Sequence, residues 1–293
     1  MVDPIIVLAW LVLAHLAADF VLQTEWMATE KFKHSQRARV ALAAHVAVVG
    51  LCLVPFIVAF GLPGAGLLGV VTLGHWVIDR SKIRLTRQVE ARGLVAAGLH
   101  RRPVDRPLSA DELDRSWTAV PAFLFIADQL AHLTLMGLAW WVFVARAPLT
   151  SGWLEATAGL GGADPSAFHH AVLYIVIGLA LLIVNTKAGS LFVVTLVRPR
   201  TAVTGLDGAD QARQAGPPPE RVGQAIGVLE RLLVVVLVLL RAEAAIGFVL
   251  AAKTIARFKQ LDDREFAEYY LLGTLASISV AFFSGLLALA ALG

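Results

Sequence analysis

A chain of 293 residues is long enough for two ordinary domains, but at 58% hydrophobic and 16% charged it has too few charges to cover a soluble globule. That excludes a soluble enzyme, and the apolar runs are continuous rather than alternating with period two, which excludes a β-barrel. The formal charge of +3 comes from basic loops, and no DNA- or RNA-binding motif is present, so no nucleic-acid partner is expected. Cys52 is the single cysteine, so any metal must be held by histidines and carboxylates.

The chain opens Met1-Val2-Asp3-Pro4 without the basic start of a secretory signal, and residues 4–23 read as a retained first helix. Further helices are expected at residues 40–60, 65–80, 119–145 and 169–197. Two more apolar segments follow, at 225–257, interrupted by Arg241 and Glu243, and at 267–291. Since a bilayer core takes about 20 helical residues to cross, the fold class is all-α, a polytopic membrane helix bundle of about seven segments. The expected organisation is an N-terminal four-helix membrane domain over 1–146, then an outer loop, a fifth helix and a Pro-rich loop over 147–224, and C-terminal membrane segments over 225–293. Oligomeric state is not legible.

Basic residues are unevenly spread. Loop 24–39 carries Lys31, Lys33, Arg37 and Arg39, and loop 80–118 carries nine from Arg80 to Arg115, whereas loop 146–168 has only Arg146. By the positive-inside rule the first two loops are cytoplasmic. Ser109 and Glu112 have capping-box spacing and predict that the fourth helix starts near Ala110. Residues 225–257 are either one tilted helix or a re-entrant pair. The basic stretch from Lys253 to Arg264 breaks the alternation of sides if the segment crosses once, which favours the hairpin, with Arg241 paired to Glu230 or Glu243.

The informative constellation lies in the first half. His15 and Asp19, His75 and Asp79, and Asp128 and His132 are three pairs spaced i, i+4, each on one face of its helix with side chains about 6 Å apart. Scattered at random over the apolar segments, three such matches would arise roughly once in several thousand trials. The helices of the first two pairs run inward and read His before Asp, while the third runs outward and reads Asp before His. All three aspartates are therefore expected on the cytoplasmic side of their histidines. His45 adds a fourth imidazole, and Gln23, Glu25 and Gln129 are nearby polar candidates.

Three buried carboxylates without partners would each cost several kcal/mol. A cation removes that cost, and imidazole with carboxylate is the ligand mix of zinc, iron and manganese. His15, Asp19, His45, His75, Asp79, Asp128 and His132 are the expected metal ligands, with Asp19, Asp79 and Asp128 also the candidate catalytic groups. Such a site suits hydrolysis of a lipid-linked ester or phosphoester. The same residue types also serve a proton or ion pathway in a transporter, or polar pairs that only join helices. A second set, Arg231, Arg241 and Lys253, is the candidate site for an anionic lipid headgroup, the alternative being internal ion pairing and interfacial snorkelling.

The stretches His15-Leu-Ala-Ala-Asp19-Phe-Val-Leu-Gln23-Thr-Glu-Trp-Met27, His75-Trp-Val-Ile-Asp79 and Asp128-Gln129-Leu-Ala-His132 resemble the bacterial membrane-protein family catalogued as domain of unknown function 3307. The resemblance covers residues 8–146, and Ile226-Gly-Val-Leu-Glu-Arg231 with Ala245 to Lys253 resembles the longer members. It implies a membrane protein and no particular activity. Membrane-bound metal-dependent hydrolases also place His and Asp on membrane helices, but their Asp-x-Asp-His and His-Arg-x-x-Thr-His elements are absent here.

Overall fold

The computed structural model describes residues 3–96, 118–158, 165–197 and 219–293, and among these there are helices and no strand. Among the described residues seven stretches are long and apolar enough to cross a membrane: Pro4–Val21, Gln36–Phe60, Leu62–Val89, Val120–Val144, Ala167–Val197, Val222–Leu239 and Phe266–Leu292. The chain is an all-α polytopic membrane helix bundle. It falls into two compact units, one of Met1–Leu85 and Ile126–Ile183, the other of Thr86–Phe125 and Val184–Ala291.

In the first unit α1 (Pro4–Leu16) is capped by the Asp3 carboxylate, which accepts from the Ile5 N–H at 2.8 Å and also meets His169 at 2.9 Å. The helix then widens into a π-turn, Ala17–Val21, which carries Asp19. A short α2 (Glu25–Glu30) leads to α3 (Gln36–Phe60), which starts four residues earlier than expected because Ser35 Oγ accepts the Ala38 N–H at 3.0 Å. α3 and α4 (Leu62–Ala96) form a hairpin about Gly61, whose φ is 62°. Gly64 packs so closely that a Cβ would fall 1.9 Å from the Phe56 carbonyl oxygen. His45 lies sixteen residues before Gly61 and His75 fourteen after it, so the antiparallel hairpin sets the two imidazoles level.

Two expected boundaries are corrected. α4 runs to Ala96 instead of ending at residue 80, because the stretch from Arg80 to Arg92 holds no Gly or Pro and its Arg, Lys, Gln and Glu are good helix formers. α5 (Val120–Ala139, extended by a π-turn Trp140–Val144) begins at Val120 rather than near Ala110. Thr118 and Ala119 are not helical, Thr118 Oγ1 accepts the Val120 N–H at 3.3 Å, and Pro121 fits a first turn where an N–H has no partner. The expected cap at Ser109 and Glu112 lies outside the described residues.

Part of the expected outer loop is helical, α6 (Ser151–Ala158). It is tied to the end of α3 by Thr150, whose N–H and hydroxyl donate to the carbonyls of Ala59 and Val58 at 2.9 and 2.7 Å. α7 (Pro165–Ile183) packs along α1. The core of this unit includes Leu11, Val49, Val71 and Met136, each four residues from His15, His45, His75 and His132 respectively. That spacing stacks an apolar layer, an imidazole layer and a carboxylate layer along the helices.

In the second unit a π-turn, Val184–Ala188, leads into α8 (Gly189–Val197), followed by α9 (Pro219–Leu239), α10 (Ile246–Ala256) and α11 (Arg264–Leu292). α9 and α10 form a hairpin, not one tilted helix: Lys253 Nζ donates to Glu230 Oε2 at 2.6 Å, whereas 23 residues of continuous helix would separate them by about 34 Å. At about 16 Å, α10 is too short to span a bilayer.

The break falls at Arg241, whose φ is 55°. Its N–H donates to Val238 and that of Ala242 to Leu237, at 2.9 and 2.8 Å, the paired bonds of a left-handed C-cap. The expected pairing of Arg241 with a glutamate is therefore replaced. Arg241 and Glu243 are exposed, and Glu230 is bonded to Lys253 instead. Because a left-handed conformation is costly for any residue with a Cβ, Arg241→Gly is expected to raise stability in detergent by about 1 kcal/mol. A fall in the denaturant midpoint would show that the Arg241 side chain contributes more than its cap position costs.

Candidate metal centre

The first unit brings together all seven expected ligands. His45, His75 and His132 are at most 1% exposed and Asp79 is 2% exposed, so these groups are removed from solvent together. The ring centroids of His75 and His132 lie 4.2 Å apart, those of His15 and His132 4.9 Å, and those of His45 and His75 5.0 Å.

Second partners orient three of the four rings. His132 Nδ1 donates to the Asp128 carbonyl at 2.8 Å, one helical turn back, which leaves Nε2 as the nitrogen with the lone pair. That Nε2 is buried and makes no hydrogen bond. His15 Nε2 donates to Gln129 Oε1 at 3.3 Å, turning Nδ1 towards Asp19. With the Gln23 amide oxygen facing Lys31 and His45, as the surrounding donors require, Gln23 accepts from Lys31 Nζ at 2.9 Å and His45 Nδ1 at 3.3 Å. An imidazole fixed through one nitrogen by a carbonyl, with the other nitrogen turned to the centre, is the arrangement of metal-ligating histidines.

The three carboxylates differ in their cations. Asp79 Oδ2 accepts from Lys31 Nζ at 3.0 Å, and Asp128 Oδ2 accepts from Lys82 Nζ at 2.6 Å and from Gln129 Nε2 at 3.1 Å. Asp19 has no ammonium partner among the described residues. Its Oδ1 is buried without a hydrogen bond, yet stands 3.5 Å from His45 Nε2, 3.5 Å from His75 Nε2 and 3.8 Å from His15 Nδ1. His45 Nε2 and His75 Nε2 are 3.0 Å apart.

Four atoms held tetrahedrally at 2.0–2.2 Å from one ion lie about 3.3–3.6 Å from each other. A triangle of sides 3.0, 3.5 and 3.5 Å has a centre about 1.9 Å from every corner, so Asp19, His45 and His75 fit the ligand shell of a first-row divalent ion. Lys31 and Lys82 are the functional neighbours that sequence reasoning left among the basic loop residues. The only signal for them is that each flanks a His/Asp helix end. Glu25, a sequence candidate, is exposed in the first turn of α2.

The second unit does not assemble the expected headgroup site. Arg231 is buried and spends its guanidinium on neutral groups: Nε donates to the Asn185 carbonyl at 2.7 Å, Nη1 to Ser277 Oγ at 3.0 Å, and Nη2 to Ser190 Oγ. Lys253 is held by Glu230 and lies 5.5 Å from the Tyr270 ring centroid, and Arg241 stands about 15 Å further along the α9 axis from Arg231. A carbonyl within a π-turn is free to accept such a bond, because the i to i−4 pattern is interrupted there.

The profile of a family described as "Protein of unknown function (DUF3307)" matches residues 7–158, more than half of the chain. The chain belongs to this family. No curated protein and no solved structure matches it. The DUF3307 stretch contains every histidine and aspartate of the cluster together with Lys31 and Lys82, whereas Arg231, Arg241 and Lys253 lie beyond it.

Proposed function

We propose that the chain is an integral protein of the bacterial cytoplasmic membrane that binds a divalent cation, zinc, iron or manganese, and hydrolyses an ester or phosphoester of a membrane lipid. The observation that carries this reading is Asp19 Oδ1, a buried anionic oxygen without a hydrogen bond, faced by three imidazole nitrogens at 3.5–3.8 Å. Lys31 and Lys82 reach Asp79 and Asp128, so the basic segments border the carboxylate layer, which supports a site near the cytoplasmic face.

An ion held there would polarise a carbonyl or phosphoryl oxygen and lower the pKa of water. The remaining tasks fall to the chain. Asp19, His45 and His75 bind, Gln23 and Gln129 orient the imidazoles, and Lys31 and Lys82 neutralise the other carboxylates. A cavity of about 10 Å³ lined by His15, His75 and His132 has room for about one water, and His132 Nε2 is the imidazole nitrogen there that can accept its proton. Leu53, Val71 and Met136 close the cavity on its apolar side. A substrate with its head at the interface and its tail in the bilayer suits a site at that depth.

A second reading, proton- or ion-coupled transport, draws on the 3.0 Å approach of His45 to His75 and on the flanking Lys–Asp pairs, which are links a relay needs. Reconstitution separates the two. Hydrolysis predicts release of a lipid headgroup by the wild type and none by Asp19→Asn or Asp128→Asn. If no lipid is cleaved, and a pH- or ion-driven flux in proteoliposomes disappears in the same variants, the site belongs to transport.

A further inference from the structure

The cluster holds a second set of convergent ligand atoms. Asp79, Asp128 and His132 each offer one within 4.8 Å of the others, on buried side chains carried by α4 and α5. On two of these residues a polar atom, Asp128 Oδ1 and His132 Nε2, is buried and makes no hydrogen bond. Both aspartates already carry a cation that belongs to the chain: Lys31 Nζ on Asp79 at 3.0 Å and Lys82 Nζ on Asp128 at 2.6 Å. Lys31 is itself only 8% exposed.

The geometry points to Asp79, Asp128 and His132 as a second divalent-cation subsite that Lys31 and Lys82 keep closed, limiting the protein to one ion. The inference rests on the metal-binding reading of the first subsite. Charge decides it. Three carboxylates and two ammoniums leave a single negative charge, and one divalent ion beside Asp19 changes that to a single positive one. A second ion added to this set would bring the buried charge to three positive, which a low-dielectric interior opposes strongly. Without the lysines, two divalent ions and three carboxylates again sum to one positive charge. The two ammoniums are therefore the charge equivalent of the second ion, tethered by the chain and independent of metal supply. Geometry agrees, since each Nζ already occupies one oxygen of a carboxylate that a second ion would need.

The test is metal stoichiometry in the full chain, purified in detergent and loaded with excess zinc or cobalt, then measured by inductively coupled plasma mass spectrometry. The expected values are one ion per chain in the wild type and two in Lys31→Met/Lys82→Met. Lys31→Arg/Lys82→Arg, which keeps both charges, is expected to stay at one. Titration of the wild type with cobalt, followed by its visible absorption, needs no variant and should saturate at one equivalent. Saturation at two equivalents, or one ion in a folded double Met variant, overturns the inference and leaves the first subsite standing. No metal in any of these proteins removes the metal-binding reading itself.

Discussion

Asp19→Asn is expected to weaken divalent-ion binding by on the order of 100-fold or more. Loss of an outer partner of a ligand typically costs 10–100-fold, and Asp19 supplies a ligand oxygen directly. The substitution also removes the one carboxylate that no lysine neutralises, leaving two aspartates balanced by two ammoniums and no net attraction for a cation. Competition for zinc against a chelator of known affinity measures the change. Asp128→Asn is the informative contrast, because it leaves the Asp19, His45 and His75 triangle intact and weakens only the hold on Lys82, which is 23% exposed. Its effect on ion affinity should be at least tenfold smaller than that of Asp19→Asn. Equal effects would mean that the ion is shared across the cluster.

The second large effect is structural. Arg231→Ala is expected to destabilise the protein by about 3 kcal/mol, since hydrogen bonds to a charged donor contribute about 1.5–3 kcal/mol and their buried acceptors are left behind. Ser190 keeps a second partner, because its hydroxyl also donates to the Thr186 carbonyl at 2.9 Å. Gly189 shows how closely these helices meet: a Cβ there would come within 3.2 Å of Arg231 Nε. Arg231→Lys should recover little, because a single ammonium cannot reach a carbonyl and two hydroxyls in the fork of a guanidinium. Unfolding of the two variants in detergent by denaturant tests this, and a shift below about 0.5 kcal/mol for Arg231→Ala would show that the three bonds are replaced by water.

What the sequence made legible follows the range of the physics involved. The helices and the i, i+4 pairs are local facts, fixed by apolar length and by 3.6 residues per turn, and the pairs point at one centre because all three are polar exceptions on apolar faces. The partner of each carboxylate is a tertiary fact. Nothing local distinguishes Lys31, which reaches Asp79, from Lys33, which bonds to Glu30 at 2.7 Å beside it. The π-turns at Asp19 and Asn185 were equally hidden, because each depends on packing that no periodicity records. From the sequence Arg231 is a candidate headgroup ligand or a member of an internal ion pair, because the hydroxyls and carbonyl that satisfy it come from helices 40 or more residues away. At Arg241 the break was visible but its cause was not, since a left-handed cap normally announces itself by glycine.

Metal binding by the His/Asp cluster is read from the metal content of the wild-type protein purified without chelators, with X-ray absorption at the edge of the element found. The expected result is about one equivalent of zinc, iron or manganese per chain, in a shell of nitrogen and oxygen at about 2.0–2.2 Å, lost in Asp19→Asn. Protein that remains free of stoichiometric metal after incubation with all three ions would contradict it, and the four histidines and three aspartates would then be polar pairs that join the helices or pass protons.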